Sequence, residues 1–191
     1  MAFEAFYAAT EGQPPSSLAL AAVKAIENPG GRALDVGSGA GRDAAYFAEQ
    51  GFETEAIDPN PLAAVPEGSG ISFRHEAAET FERPAGTYRL VLCNKVLPFI
   101  TSPGGIEGVL AKISATLAPD GVAAFSLFGE RDGWAGRPGV RVLASDEAST
   151  VIVAAKLHVL QRWEEEFEMA AAGANTPKHW HIVRYLAARE V

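Results

Sequence analysis

The sequence predicts an α/β domain built on a doubly wound, mostly parallel sheet, and three observations carry that expectation. Short apolar, strand-like runs alternate with longer stretches of helical periodicity, the order that parallel strands with crossover helices require. Glycines punctuate the first strand-to-helix junction at positions 37, 39 and 41. The last third of the chain changes to two strand-like runs around a turn of small residues, which suits a hairpin finishing the sheet. At 191 residues, with no internal repeat and no low-complexity linker, the chain reads as a single domain over 1–191.

Each element has its own warrant. After Pro14-Pro15, Ser16 or Ser17 caps a helix through Glu27, with Leu18, Ala22, Ala25 and Ile26 on one face and Asn28-Pro29-Gly30-Gly31 ending it. Arg32–Val36 is a buried strand running into the glycines, and a helix Gly41–Gln50 follows with Gly51 as its left-handed cap. Phe52–Ile57 is a second strand ending at Asp58-Pro59-Asn60; a short helix, Pro61–Val65, then leads to the strand Ile71–Arg74. Tyr88–Cys93 is the fourth strand. Ser102-Pro103 opens a helix to Leu117, and Ala118-Pro119-Asp120-Gly121 turns the chain into the strand Val122–Phe128. A Gly-rich loop, Gly129–Leu143, precedes a short helix from about Asp146 and the runs Leu157–Phe167 and Trp180–Ala188.

Composition narrows the function. Sixteen Lys and Arg against 24 Asp and Glu leave a formal charge of −8, which repels phosphate backbones and anionic lipid, so neither nucleic acid nor a membrane is an expected partner. No apolar run approaches the roughly 18–20 residues of a membrane span. Cys93 is the one cysteine and has no internal disulfide partner, and the start Met1-Ala2-Phe3-Glu4 lacks the basic flank of a signal peptide. The expected compartment is a reducing cytoplasm.

The segment Leu34-Asp35-Val36-Gly37-Ser38-Gly39-Ala40-Gly41-Arg42 is the most informative in the chain. Glycines let the backbone turn sharply after a strand and let a ligand lie against bare backbone at a helix N-terminus, where unpaired N–H groups favour an anionic group. Asp58 ends the next strand 21 residues after Gly37, where a carboxylate can accept from both hydroxyls of an adenosine ribose. Together they read as a nucleoside site. Dinucleotide binders space their glycines G-x-G-x-x-G, whereas Arg42 follows Gly41 here and the third glycine arrives one residue early. That disfavours NAD and FAD. Val36 stands where a G-x-S-x-G nucleophile elbow needs glycine, so Ser38 is a turn residue.

These residues resemble the class I S-adenosylmethionine-dependent methyltransferases, through Leu34–Asp43, Ala56-Ile-Asp-Pro59, Tyr88–Asn94 and Leu117-Ala-Pro-Asp-Gly121. Within that family the chain is similar to the small bacterial methyltransferases related to the tellurite-resistance methyltransferase. The shared stretches are Gly41-Arg-Asp43, Phe128-Gly-Glu-Arg-Asp-Gly-Trp134 and Pro177-Lys-His-Trp-His181. The resemblance implies a Rossmann-like, seven-stranded sheet with an antiparallel last strand, and S-adenosylmethionine as cofactor. It implies that Asp35, Gly37, Ser38, Gly39 and Gly41 hold the methionine part, with Arg42 placed for its carboxylate. Asp58, followed by Pro59, would take the ribose hydroxyls, and Asn94 and Lys95 would face the methionine end. The family often carries an adenine-reading Asp after the third strand, but His75-Glu-Ala-Ala-Glu79 has none. Backbone from Ala77 or Ala78, or the Glu79 side chain, would substitute.

Methyl transfer from a sulfonium is an in-line displacement, so holding the nucleophile in line and excluding water supplies most of the catalysis. The loop after the fifth strand carries Arg131, Arg137, Arg141 and Trp134, a set that suits a small anionic acceptor. His179 and His181 alternate on a strand and share a face, with Trp180 opposite. They read as a general base and its support, a substrate contact or, least of all, a metal pair, since no third His or Cys lies at ligand spacing. His179, His181 and Arg131 are therefore the candidate catalytic residues, and no metal is expected. Phe3, Phe6 and Tyr7 make residues 1–15 a candidate lid or arm. Glu164-Glu165-Glu166 reads as the solvated side of a strand. Two other classes compete: a non-catalytic S-adenosylmethionine-binding sensor or partner subunit, and a nicotinamide-dependent oxidoreductase.

Overall fold

The computed structural model describes residues 10, 12–171 and 174–190. Phe3, Phe6 and Tyr7, on which the expected lid rests, lie outside them.

In chain order the elements are α1 (Ser17–Lys24), β1 (Gly31–Val36), α2 (Arg42–Glu49), β2 (Phe52–Ile57), β3 (Ser72–Arg74), β4 (Tyr88–Cys93), a 3-10 turn (Leu97–Phe99), α3 (Gly105–Thr116), β5 (Leu117–Phe128), α4 (Ser145–Ala154), β6 (Leu157–Ala170) and β7 (Pro177–Arg189). Seven strands form one sheet in the order β3-β2-β1-β4-β5-β7-β6. β1 pairs in parallel with β2 and β4, β2 with β3, and β4 with β5; β7 runs antiparallel to both β5 and β6. The strand order reverses between β1 and β4, so the crevice beyond the carboxyl ends of those two strands is where an open sheet of this kind receives a ligand.

Side chains alternate across the sheet and sort into two cores. Leu34, Val36, Val91, Cys93, Phe125, Val183 and Tyr185 face α3 and α4. Ala33, Leu90, Leu92, Val122, Ala124 and Leu186 face α1 and α2. By the same alternation Asp35, Ser126 and Arg184 belong to the α1/α2 face, a placement that governs the site below.

Four local differences from the sequence reading have physical causes. α1 ends at Lys24, three residues early, with Ser16 as its N-cap accepting from Ala19 N–H at 3.1 Å. Pro61–Val65 is not helical. Asp58 Oδ1 accepts from Asn60 N–H at 2.9 Å and Asn60 Oδ1 from Leu62 N–H at 2.9 Å, local bonds that compete with a helical turn. α3 begins at Gly105 rather than at Ser102-Pro103, because Gly104 takes the N-cap position at φ 69. The turn 118–121 lies inside β5 as a bulge, where the partner of the β4 residue steps from Leu117 (opposite Tyr88) to Val122 (opposite Leu90).

Candidate functional site

The site is built on the turn from β1 into α2. Gly37, Gly39 and Gly41 have φ of 75, 58 and 73. At Gly37 the requirement is also steric, since a Cβ there would stand 2.1 Å from Val96 Cγ2. Gly37 and Ser38 donate to the Ile57 carbonyl at 2.8 and 3.1 Å, which ties the turn to the end of β2. Asp58, buried at that end, accepts from Gly39 N–H at 3.0 Å through Oδ2. The carboxylate expected to meet a ribose thus also holds the glycine loop in shape. Pro59 follows on the surface.

Charge accumulates around this turn. Asp35 is buried, and burial, with the carboxylates of Asp43 and Asp58 nearby, pushes its carboxyl well above the usual range; Arg42 opposes the shift. Asp43, in the first turn of α2, accepts from Ser16 N–H and Ser16 Oγ, each at 2.7 Å, and so fastens the cap of α1 beside the loop. Two buried atoms here, Asp35 Oδ2 and Ser38 Oγ, have no hydrogen-bond partner among the described residues. Unpaired polar atoms of this kind mark a place where a ligand completes the bonding. Two carboxylates, the Asp35 carboxyl and open polar atoms fit a nucleoside that carries an ammonium and a sulfonium.

After β4 the chain enters Asn94 and Lys95. Ser126 Oγ donates to Asn94 Oδ1 at 3.1 Å and accepts from Lys95 N–H at 2.7 Å, and Lys95 holds a left-handed φ of 59. A lysine in that conformation is strained, and such strain clusters at ligand sites. Burial, with Arg184 and Arg42 adding to it, holds its ammonium down to about 8. The Lys95 Nζ lies 5.2 Å from the Trp180 ring centroid. Trp180 is surrounded by Phe128, Trp134 and Phe167, an aromatic wall on the α1/α2 face.

The segment expected to border adenine follows β3. Asp58 N–H donates to the Arg74 carbonyl at 3.2 Å, which brings residues 75–79 beside the loop. Ala77 closes a turn by accepting from Thr80 and Phe81, both at 3.1 Å; Ala78 is buried; the Glu79 carbonyl accepts from Lys112 Nζ at 2.8 Å while its side chain is exposed.

His179, His181 and Arg131 come together, but on the other face of the sheet. His181 is buried beside Val183 and Tyr185, with its ring over Gly129; its Nδ1 accepts from Arg131 N–H at 3.1 Å and its Nε2 meets Glu164 at 3.0 Å. Arg131 Nη2 reaches Glu166 at 2.6 Å and Glu164 at 3.1 Å. Arg131 holds the Glu166 carboxyl down to about 2, and His179, paired with Glu168 and then Glu166, is raised. Trp180 lies opposite, as its alternation demands. The loop arginines do not converge: Arg137 lies over Trp134, and Arg141 pairs with Glu107 at 3.3 Å. Among the described residues, Glu164, Glu166 and His181 have metal-ligand spacing, with ligand atoms within 4.8 Å of one another. The Arg131 guanidinium bonds both glutamates and supplies the positive charge.

Sequence reasoning missed Arg184, Glu165, Ser126 and the Ser16–Asp43 clasp. The acidic run is not a uniform solvated face: Glu164 and Glu166 serve the histidine cluster, whereas Glu165 points to the α1/α2 face and meets Arg184, Trp163 and Ser17. A signal for Arg184 was present, because it interrupts the apolar run Ile182–Ala188 of a strand otherwise buried.

With this geometry in place, comparison decides the family. A family model described as a methyltransferase domain matches residues 11–184. The chain belongs to that methyltransferase family. A curated relative, the ubiquinone biosynthesis O-methyltransferase of Burkholderia ambifaria strain MC40-6, is 33% identical over 105 residues; the match covers 51% of this methyltransferase and 44% of that protein. The methyltransferase therefore spans less than half the length of the curated relatives it matches. Its fold is shared with an S-adenosylmethionine-dependent methyltransferase of Methanosarcina mazei, at 14% identity and a TM-score of 0.72, covering 94% of this chain and 100% of that one. It is shared also with the 1,6-didemethyltoxoflavin-N1-methyltransferase of Burkholderia thailandensis, solved with bound 1,6-didemethyltoxoflavin and S-adenosylhomocysteine, at 23% identity and a TM-score of 0.63, covering 90% of this chain and 76% of that one. The family expected from the glycine loop is the family found, and the nicotinamide reading is not favoured.

Proposed function

We propose that this chain transfers a methyl group from S-adenosylmethionine to a small acceptor that carries negative charge. The observation that carries the reading is the left-handed loop Gly37–Gly41, closed onto β2 by the Asp58 carboxylate at 3.0 Å, with Asp35 Oδ2 and Ser38 Oγ unpaired beside it. When bound, the cofactor supplies an activated methyl on a sulfonium. The chain's own residues bind and orient. Asp35 and the loop from Gly37 to Gly41 hold the methionine part, and Arg42 meets its carboxylate at the start of α2. Asp58 accepts from the ribose hydroxyls while keeping its bond to Gly39 N–H. Backbone at Ala77 and Ala78, or the Glu79 carboxylate, borders the adenine; Asn94 and Lys95 face the methionine end. Holding the acceptor in line against the methyl carbon contributes roughly 7–11 kcal/mol toward the barrier.

The three residues first chosen as catalytic take a supporting part in this reading. Arg131, His179 and His181 bond chiefly to the β6 glutamates, on the face of the sheet opposite Trp180, so they brace the β6–β7 hairpin. A reducing cytoplasm suits a chain whose single cysteine is buried in β4. No described helix is long and apolar enough to cross a membrane.

The test is thermal unfolding with S-adenosylmethionine, S-adenosylhomocysteine, NADH or no ligand. A ligand at 100 times its dissociation constant adds about 2.7 kcal/mol, roughly 2–4 °C in a domain of this size. Stabilisation by the two sulfur nucleosides alone is expected, and stabilisation by NADH or by nothing would remove the reading. Release of S-adenosylhomocysteine with an acceptor panel then separates an enzyme from a sensor.

A further inference from the structure

The acceptor's chemistry can be read one step further, on the basis of the methyltransferase reading above. Arg184 is 5% exposed on the α1/α2 face of β7, directly across from Ser126 of β5. A buried guanidinium ordinarily has its N–H groups satisfied. Here Nη2 donates to Glu165 Oε2 at 2.8 Å, and the other oxygen of that carboxylate is taken by Trp163 Nε1 at 3.2 Å and Ser17 Oγ at 3.5 Å. Nε and Nη1 of Arg184 are buried with no partner among the described residues. Ser126 does not relieve them, since its hydroxyl is spent on Asn94 and Lys95.

A second cation stands in the same space. Lys95, held left-handed by its bond to Ser126, places its ammonium 5.2 Å from the Trp180 ring, and Trp180 lies on the same face of β7 as Arg184. One carboxylate, Glu165, serves both cations, but its oxygens are already taken by Arg184 Nη2, Trp163 and Ser17, so a second anion would relieve the repulsion that remains. Charge across the crevice is thus divided. Asp35, Asp43 and Asp58 gather at the glycine loop, where a cationic cofactor belongs, and Lys95 and Arg184 stand beyond β4 and β5. We propose that Arg184, through Nε and Nη1, together with the Lys95 ammonium, forms the subsite that binds an oxyanion of the acceptor. The Trp180 ring is the apolar wall beside it, which suits an organic acid with a flat body.

Isothermal calorimetry on the full chain saturated with S-adenosylhomocysteine tests this, with acetate, benzoate and inorganic phosphate as probes and acetamide and benzamide as neutral controls. At least one oxyanion is expected to bind, with its neutral counterpart at least tenfold weaker; preference for benzoate over phosphate would mark an organic acid. Arg184→Lys keeps a cation for Glu165 but removes the Nη1 donor, and it is expected to weaken that oxyanion at least tenfold while S-adenosylhomocysteine affinity stays within twofold. Amides that bind as well as acids, or no oxyanion binding at all, would overturn the proposal without touching the methyltransferase reading. So would a tenfold loss of S-adenosylhomocysteine affinity in Arg184→Lys, which would assign the guanidinium to the cofactor. Failure of the wild type to bind S-adenosylhomocysteine would withdraw both.

Discussion

Asp58→Ala is the substitution from which most can be learned, because the carboxylate does two jobs in one place. Inside the protein it accepts from Gly39 N–H at 3.0 Å and Asn60 N–H at 2.9 Å. Removing it strands the buried Gly39 donor, which costs about 1–3 kcal/mol of stability. Toward the cofactor the role proposed for it is to accept from two ribose hydroxyls, and on that proposal losing both charge-assisted bonds weakens binding by roughly 2–4 kcal/mol, about 30- to 1,000-fold. Calorimetry with S-adenosylhomocysteine and its 2′,3′-dideoxy analogue separates the two jobs. Wild type should lose affinity for the dideoxy compound, and Asp58→Ala should bind both compounds alike. If the substitution weakened the two ligands equally, Asp58 would act on the loop alone and its ribose role would be refuted. The measurement belongs at a temperature where urea titration shows both proteins folded.

Three other outcomes follow from the geometry. Gly37→Ala meets a φ of 75 and a Cβ 2.1 Å from Val96 Cγ2, so it should lose more than the roughly 1–2 kcal/mol of left-handed strain alone. Val96→Ala should restore part of that loss in the double variant, and urea titrations showing strictly additive effects would refute the contact. Lys95 is held down to about 8. Between about pH 8 and the unfolded value near 10.5 the unfolded chain keeps a proton that the folded chain has lost, so stability from this group rises with pH. Lys95→Met should therefore gain on wild type by up to about 3 kcal/mol below pH 8 and lose that gain by about pH 10; a gap independent of pH would count against the buried ammonium. Arg131→Ala removes exposed pairs to Glu164 and Glu166 that water and salt screen, so the urea midpoint should barely move, with S-adenosylhomocysteine affinity unchanged. A tenfold loss of that affinity would return Arg131 to the crevice.

What was legible in the sequence is what local chemistry dictates. Glycines at 37, 39 and 41 state a tight turn before a helix, because side chains rarely accept those backbone angles, and a strand ending at Asp58 twenty-one residues after Gly37 places the carboxylate. The near-continuous apolar runs that end at Val36 and Cys93 mark strands buried on both faces. From these follow the parallel sheet, the family and its cofactor. Where local bonds compete, the helix expected over Pro61–Val65 does not form, and before α3 Gly104 moves the boundary by a few residues.

The faces of the β6–β7 hairpin were decided only by tertiary structure. Period-two alternation told that His179 and His181 share a side, but not which side, since that depends on the pairing of Ser126 with Arg184 and of Phe128 with Ile182. The same register turns Glu164 and Glu166 toward the histidines and Glu165 toward Arg184, splitting one acidic run between two environments. A shift of one residue would exchange them. The residues by themselves determined the family and the glycine loop closed by Asp58; antiparallel pairing in space decided which charges of the β6–β7 hairpin lie on each face of the sheet.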